Sequence, residues 1–119
     1  MNRVCVYCGS RLGRGEQYRE VTVAFGEELV RRDIGLVYGG GGVGLMGVLA
    51  ETVLAGGGDV VGVIPTALRE RERPPADLTE LVVVDSMHDR KRQMFDRAEG
   101  FAALAGGLGT LEELFEMLT

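Results

Sequence analysis

The chain has 119 residues, 45% of them hydrophobic, which fits one domain (residues 1–119) with a single packed core. A formal net charge of -5 excludes a general nucleic-acid binder that relies on a basic surface, so an anionic ligand would need a local site. No apolar run approaches the roughly 20 residues that span a bilayer, and the first three residues lead into a strand-like segment instead of a signal peptide. We therefore expect a cytoplasmic protein that binds neither nucleic acid nor membrane.

The first predicted strand, Arg3–Tyr7, carries one half of a C-x-x-C pattern formed by Cys5 and Cys8. Side chains three apart on a strand point to opposite faces, whereas a redox pair usually lies at a helix start, so a core thiol and a strand-end thiol are favoured. His88 is the only histidine and has no Cys or His cluster around it. A metal site is therefore not predicted.

Helices and strands alternate along the next 70 residues. Helix one is predicted from apolar residues at helical spacing, namely Tyr18, Val21, Phe25 and Leu29. Strand two follows at residues 35–38, and helix two is predicted from Leu45, Met46, Leu49 and Val53. Two β-branched runs, Val60–Ile64 and Leu81–Val84, predict strands three and four, each buried on both faces. Between them, the charged segment Leu68–Ala76 predicts a loop with one helical turn that could move on ligand binding.

Two capping boxes mark helix starts in the last third of the chain. Ser86 with Asp89 opens a helix whose inward face is predicted to contain Met87, Met94 and Ala98. Strand five is predicted at Phe101–Leu104. Thr110 with Glu113 opens a last helix with an apolar face of Leu111, Leu114, Phe115 and Leu118.

This alternation predicts an α/β class with a Rossmann-like three-layer fold, a parallel sheet and right-handed crossovers. We expect the strand order 3-2-1-4-5. Six residues are expected to be buried in the sheet, namely Val4, Val37, Val61, Val63, Val83 and Leu104. Ligands of such sheets bind at the carboxyl ends of the strands near a topological switch point, and both large glycine loops follow strand ends.

The first glycine loop, GGGGVGLMG at residues 39–47, contains G-x-G-x-x-G as Gly42, Gly44 and Gly47. Its N–H groups and the following helix dipole could hold a phosphate, and the alternative is tight helix-to-strand packing without a ligand. A dinucleotide site is not predicted, because the next strand ends without the acidic residue that binds ribose. No P-loop pattern is present either.

The second glycine loop, Gly106–Thr110, also joins a strand to a helix and predicts a second anion cradle. Thr110 can offer its hydroxyl to a phosphate or only cap the helix. Glu113 also has two alternatives. As the N3 residue of the capping box it needs no ligand, but its carboxylate could also face the sugar of a nucleotide.

Four segments together resemble the LONELY GUY family of cytokinin-activating phosphoribohydrolases. They are VYCGSRLG at 6–13, YGGGGVGLMG at 38–47, SMHDRK at 86–91 and AGGLGTLEE at 105–113. The resemblance implies hydrolysis of the N-glycosidic bond of an N6-substituted adenosine 5'-monophosphate, which releases free base and ribose 5-phosphate. It implies no cofactor and no metal. It also implies a homodimer with active sites near the subunit interface.

The resemblance implies that Arg90 and Glu113 are catalytic. A carboxylate can stabilise the oxocarbenium-like ribose and orient water, while the forked donors of Arg90 can hold phosphate or ribose oxygens. The alternative for Arg90 is a solvated charge on a helix face. The expected nucleotide contacts are Ser10, Gly41, Gly42, Gly44, Glu72, Lys91, Gly106, Gly107, Leu108, Gly109, Thr110, Leu111, Glu112 and Thr119.

The chain departs from the family pattern at two points. Ala105 stands where the family loop normally begins with proline, which affects loop rigidity. Relatives continue beyond the last helix, so we expect the domain to be incomplete after Thr119. The leading hypothesis is a phosphoribohydrolase, and the alternative is a catalytically silent nucleotide-binding or carrier module of the same fold. A lysine decarboxylase, a label sometimes attached to this family, is not predicted because no segment resembles a pyridoxal-phosphate site.

Overall fold

The structure, a computed structural model, describes residues 2–7 and 16–104. Strands and helices alternate in this part of the chain, as predicted. The elements are β1 (Arg3–Tyr7), α1 (Glu16–Arg31), β2 (Gly35–Tyr38), α2 (Gly44–Ala55), β3 (Val60–Pro65), a 3₁₀ turn (Thr66–Leu68), α3 (Arg69–Glu72), β4 (Glu80–Val84), α4 (Met87–Asp96) and β5 (Gly100–Ala103). None of the helices in these ranges has the length and apolar character needed to cross a membrane.

The described strands form one five-stranded sheet in the order β4-β3-β2-β1-β5. All neighbouring strands are parallel, which confirms the predicted class and sheet type. The predicted order 3-2-1-4-5 is wrong, because β4 continues outward beside β3 and β5 lies on the free side of β1. Hydrophobic periodicity identifies a strand but does not say which strand lies next to it. The short segment with α3 keeps β4 beside β3, and α4 then carries the chain across the sheet to the opposite edge.

Helices cover both faces of the sheet, so the predicted three-layer arrangement is confirmed. Alternate side chains of each strand point to opposite faces. One face, which includes Val4, Val6, Leu36, Tyr38 and Val60, packs under α1 and α2. The other face packs under α4 and includes Cys5, Tyr7, Val37, Val61, Val63 and Val84.

The edge position of β4 explains two errors in the predicted core. Val4, Val37, Val61 and Val63 are buried as predicted. Val83 is 42% exposed, because an edge strand has a neighbour on one side only. Leu81–Val84 was predicted to be buried on both faces, but only Val84 in β4 is buried. Leu104 follows β5 instead of ending it and is partly buried.

Helix α1 buries most of the face that its large apolar residues predict, since Leu29 is buried and Tyr18 and Phe25 are partly buried against the same core. Val21 is 57% exposed, whereas Thr22, Gly26 and Leu29 are buried. Gly26 lies so close to α2 that a Cβ there would be 2.9 Å from the Thr52 Cγ2 atom. Small residues permit this close approach of the two helices, and a count of large apolar residues does not detect it.

Candidate functional site

Arg90, the residue of α4 predicted to be catalytic, lies at the carboxyl ends of β2 and β3, where it binds the main-chain oxygens of Gly39 and Val63. Ser86 precedes the helix in an extended conformation, and its hydroxyl accepts a hydrogen bond from the main-chain N–H of Asp89 at 3.1 Å. This contact confirms the Ser86 side of the predicted capping box. The cap fixes the first turn of α4, and Arg90 is in that turn.

The inward face of α4 is confirmed for Met94, which is buried, and for Ala98, which packs against the same cluster just after the helix. Met87 was predicted to face inward but is 44% exposed. In the first turn of α4, it is the Arg90 side chain that points into the protein. Sequence periodicity predicts that this residue lies on the polar face of the helix.

Replacing Ser86 with alanine should lower the free energy of unfolding by about 1 kcal/mol, because the N–H of Asp89 loses its acceptor. Ser86→Thr retains a hydroxyl at the same position and should remain within a few tenths of a kcal/mol of wild type. Urea denaturation of both variants measures the difference. Equal losses in the two variants would mean that the hydroxyl does not stabilise α4.

Arg90 is buried and binds three groups from three different parts of the chain. Its Nε donates to the main-chain oxygen of Val63 at 3.0 Å. Its Nη2 donates to the main-chain oxygen of Gly39 and, at 2.8 Å, to Oε1 of Glu72. The Arg90 side chain is 7% exposed, so the alternative of a solvated helix-face charge is wrong. Arg90 instead ties the ends of β2 and β3 to α3.

These contacts limit how Arg90 can bind a ligand. The edge of the guanidinium formed by Nε and Nη2 is used within the protein. Within the described part of the chain, Nη1 has one long contact, of 4.0 Å, to the sulfur of Met87. Because sulfur is a weak acceptor, Nη1 is the nitrogen that a phosphate or ribose oxygen can approach at the lowest cost.

Glu72 ends α3, the one-turn helix within the segment predicted to be a loop with one helical turn. Its carboxylate pairs with Arg90, and its main-chain oxygen accepts a hydrogen bond from the N–H of Gly42 at 2.6 Å. The side chain of Glu72 is 14% exposed. The residue therefore joins both Arg90 and the first glycine loop, an arrangement that the sequence did not reveal.

Two glycines of the first glycine loop are required by contacts within the chain. A Cβ on Gly39 would lie 2.7 Å from Nη2 of Arg90, and a Cβ on Gly42 would lie 2.0 Å from the main-chain oxygen of Arg73. The N–H of Gly42 is already donated to Glu72. At these two positions the structure supports the packing interpretation of the loop.

Gly47 should not tolerate alanine, although it lies inside α2. Helix propensity alone favours alanine over glycine by about 1 kcal/mol. A Cβ at Gly47, however, would lie 2.3 Å from the main-chain oxygen of Gly42, and this atom cannot rotate away. We expect Gly47→Ala to lower the free energy of unfolding by about 1–3 kcal/mol, as overpacking typically does.

The matched control is Gly26→Ala in α1, where the closest atom is a side-chain methyl carbon of Thr52 at 2.9 Å. A side chain yields more easily than backbone, so the loss should be smaller than at Gly47. Urea denaturation compares the two variants. If Gly47→Ala unfolds at a higher urea concentration than wild type, the predicted steric clash between the added Cβ and the main-chain oxygen of Gly42 is wrong.

The structure brings together four of the predicted site residues, namely Gly41, Gly42, Glu72 and Arg90. Gly44 begins α2 with a positive φ of 59°, and Lys91 follows Arg90 on α4, where it is partly buried. Ser10, Gly106, Gly107, Leu108, Gly109, Thr110, Leu111, Glu112, Glu113 and Thr119 lie outside the described residues. The main-chain oxygens of Gly39 and Val63 were missed, because a backbone acceptor leaves no signal in the sequence.

The topology places a switch point between β1 and β5. Connections that leave β1 and β2 cross one face of the sheet, and the connection through α4 crosses the other. Ligands of open parallel sheets bind where this change occurs, at the carboxyl ends of the strands. The residues that follow those two strands in the sequence begin at Cys8 and Leu104, so Ser10 and Gly106, the first residue of the second glycine loop, are each the third residue after a switch-point strand.

A family model described as "Possible lysine decarboxylase" matches residues 46–119. The chain belongs to this family. Curated relatives of the chain are named cytokinin riboside 5'-monophosphate phosphoribohydrolase, which confirms the predicted LONELY GUY resemblance. One from Oryza sativa subsp. japonica, named as a probable enzyme of this type, is 52% identical over 98% of the chain and 51% of its own length. One from Arabidopsis thaliana is 50% identical over 98% of the chain and 54% of its own length. The chain spans about half the length of these relatives.

Solved structures support the fold of this family member. The molybdenum cofactor carrier protein from Chlamydomonas reinhardtii matches with a TM-score of 0.81 and 18% identity, over 98% of the chain and 70% of that protein. The molybdenum cofactor binding protein from Rippkaea orientalis matches with a TM-score of 0.78 and 19% identity, over 98% and 70% of the two chains. Identities this low establish a shared fold and no shared ligand.

Proposed function

We propose that the protein hydrolyses the N-glycosidic bond of adenosine 5'-monophosphate or an N6-substituted derivative, releasing the free base and ribose 5-phosphate. The observation that carries this proposal is identity of 50–52% over 98% of the chain with proteins named phosphoribohydrolases. The buried Arg90 at the carboxyl ends of β2 and β3 supports it, because ligands of parallel sheets bind at that end.

The proposed chemistry assigns different tasks to two charged residues. Departure of the base leaves oxocarbenium-like charge on the ribose, and the carboxylate of Glu113 stabilises that charge and orients the attacking water. Arg90 fixes the sugar or the phosphate through Nη1, whose contact among residues 2–7 and 16–104 is the weak acceptor sulfur of Met87. The proton taken from water goes to Glu113 and then to the departing base.

Phosphate binding is assigned to main-chain N–H groups and short polar side chains, because the net charge of -5 provides no general basic surface. The segment Gly106–Thr110, which follows the switch-point strand β5 in the sequence, is the proposed anion cradle. The remaining proposed contacts are Ser10, Gly41, Gly44, Glu72, Lys91, Leu111, Glu112 and Thr119. We further propose a cytoplasmic homodimer that requires no cofactor and does not bind nucleic acid or membranes.

Base release tests the proposal directly. The protein is incubated with adenosine 5'-monophosphate and, separately, with its N6-isopentenyl derivative, and free base is separated by chromatography. Release of adenine or isopentenyladenine together with ribose 5-phosphate is the expected result. Binding of both nucleotides without base release would reject hydrolysis and favour the silent nucleotide-binding module of the same fold.

Nucleotide binding should not depend on a divalent metal, because N–H groups and Arg90 supply the positive field. We expect the Kd for adenosine 5'-monophosphate to change by less than about 2-fold when magnesium is replaced by EDTA, since a 2-fold change is only about 0.4 kcal/mol. Isothermal titration calorimetry in the two buffers measures it. Binding in the magnesium buffer alone would contradict the proposed site.

A further inference from the structure

We propose that Tyr38 is a positioning residue whose buried hydroxyl sets the place of Glu72 in the nucleotide site through one peptide unit of the first glycine loop. The proposal rests on the function proposed above, in which Glu72 is a nucleotide contact. The hydroxyl of Tyr38 donates a hydrogen bond to the main-chain oxygen of Gly41 at 2.7 Å. Tyr38 is fully buried at the end of β2, so it acts on a ligand through other residues and not by contact.

The peptide unit between Gly41 and Gly42 carries the effect. Its oxygen accepts the bond from Tyr38, and its N–H, which belongs to Gly42, donates to the main-chain oxygen of Glu72 at 2.6 Å. A trans peptide unit is planar, with its C=O and N–H pointing in opposite directions, so a bond that fixes one direction also fixes the other. Tyr38 therefore determines where the N–H of Gly42 points, and that N–H holds the backbone of Glu72.

Close packing couples the same peptide unit to the side chain of Glu72. A Cβ on Gly41 would lie 2.6 Å from Cε of Met46 in α2 and 3.5 Å from Cβ of Glu72 in α3. The loop backbone thus fills the space between the two helices. A shift of this backbone moves it against Glu72 or away from it.

Helix α3 depends on these contacts for its position. It has four residues, and so short a helix is not stable by itself in water. Arg73, which follows it, has a φ of 46°, in the left-handed region that non-glycine residues seldom adopt. The main-chain oxygen of Arg73 packs on Gly42, where a Cβ would lie 2.0 Å away. Such backbone persists where surrounding contacts determine it, and here the glycine loop supplies one of them.

Arg90 should respond less than Glu72 to loss of the Tyr38 hydroxyl. Its bonds to the main-chain oxygens of Val63 and Gly39 do not involve α3. The substitution therefore loosens a nucleotide contact and leaves the catalytic arginine in place. Removing an interaction that is equal in the ground state and the transition state raises KM and leaves kcat unchanged.

A double-mutant cycle tests whether Tyr38 acts through Glu72. The proteins are wild type, Tyr38→Phe, Glu72→Ala and the double variant. Affinity for adenosine 5'-monophosphate is measured by calorimetry, and kcat and KM are measured by base release. Calorimetric stoichiometry counts the competent sites, so loss of folded protein is not mistaken for loss of affinity.

The matched control is Thr52→Val, which also removes a hydroxyl that donates to a main-chain oxygen, that of Val48 at 2.7 Å. Thr52 lies in the last turn of α2, about 12 Å along the helix from its start at Gly44. Its loss should leave the Kd and kcat of wild type.

If Tyr38 positions Glu72, Tyr38→Phe raises the Kd and KM for adenosine 5'-monophosphate about 3-fold to 10-fold and changes kcat by less than about 2-fold. The upper value corresponds to about 1.4 kcal/mol, which is close to the net contribution of one good hydrogen bond. In the Glu72→Ala background the same substitution changes the Kd by less than about 2-fold, because the side chain through which it acts is gone.

A wild-type Kd in Tyr38→Phe would overturn the proposal and leave the hydroxyl a purely structural role. Equal losses of affinity in both backgrounds, or a similar loss in Thr52→Val, would overturn it as well. If wild type binds the nucleotide but releases no base, the proposed hydrolysis fails, while the affinity cycle still decides the role of Tyr38. If wild type does not bind the nucleotide, both proposals fall.

Discussion

Arg90→Ala should lower the free energy of unfolding by about 3 kcal/mol and abolish detectable base release. The substitution leaves the carboxylate of Glu72, which is 14% exposed, without its counter-charge. It also removes the donor to the main-chain oxygens of Val63 and Gly39. Breaking a buried ion pair by removing one partner typically costs about 3–5 kcal/mol, and the partial exposure of Glu72 favours the lower end.

Arg92→Ala is the matched control, because Arg92 is an exposed arginine of the same helix. Its unfolding free energy should stay within about 0.5 kcal/mol of wild type, as is usual for surface substitutions. Urea denaturation and the chromatographic assay are applied to both variants. Equal stability of the two variants would mean that the Arg90 contacts do not stabilise the carboxyl ends of the strands.

Glu113→Gln should lower base release by roughly 100-fold to 10,000-fold, the range for losing general-base help. A neutral amide cannot stabilise oxocarbenium charge or accept the proton of water. The amide keeps the shape and can still accept the hydrogen bond of the predicted capping box, so the free energy of unfolding should fall by at most about 1 kcal/mol. Nucleotide affinity should persist.

Glu116→Gln removes a carboxylate three residues further along the same predicted helix and serves as the control. Base release, unfolding and nucleotide affinity are measured on both variants and on wild type. Turnover of Glu113→Gln within a few-fold of wild type would restrict Glu113 to a capping role. A large loss in Glu116→Gln as well would indicate a general effect of helix charge and not a specific catalytic group.

The sequence predicts the elements of this fold better than their arrangement. Burial of Val37 and Val61 follows from apolar β-branched runs, which are typical of central parallel strands. The exposure of Val83 does not follow from the sequence pattern, because it depends on β4 being an edge strand. Local sequence patterns do not specify which strands are neighbours.

The candidate site shows the same limit. The family resemblance selected Arg90 and Glu72 as separate residues, and the cap at Ser86 was evident from its spacing to Asp89. The pairing of Arg90 with Glu72 was not evident from the sequence, because 18 residues separate the two. The pair forms only after α3 and α4 pack at the same end of the sheet. The acceptor on Val63 is a main-chain oxygen, which every residue possesses.

The place of β5 has a consequence for synthesis on the ribosome. Strands β1 to β4 lie side by side in the order in which they are made, so each can pair soon after it emerges. The outer edge of β1 receives its partner only when Gly100–Ala103 has been made, and Leu104 then donates its N–H to the oxygen of Tyr7 at 2.8 Å. Until then the nascent chain presents an unpaired apolar strand edge, a ready template for aggregation. A ribosome stalled before residue 100 therefore carries a chain in which β1 is still an edge strand, and completion of β5 covers that edge.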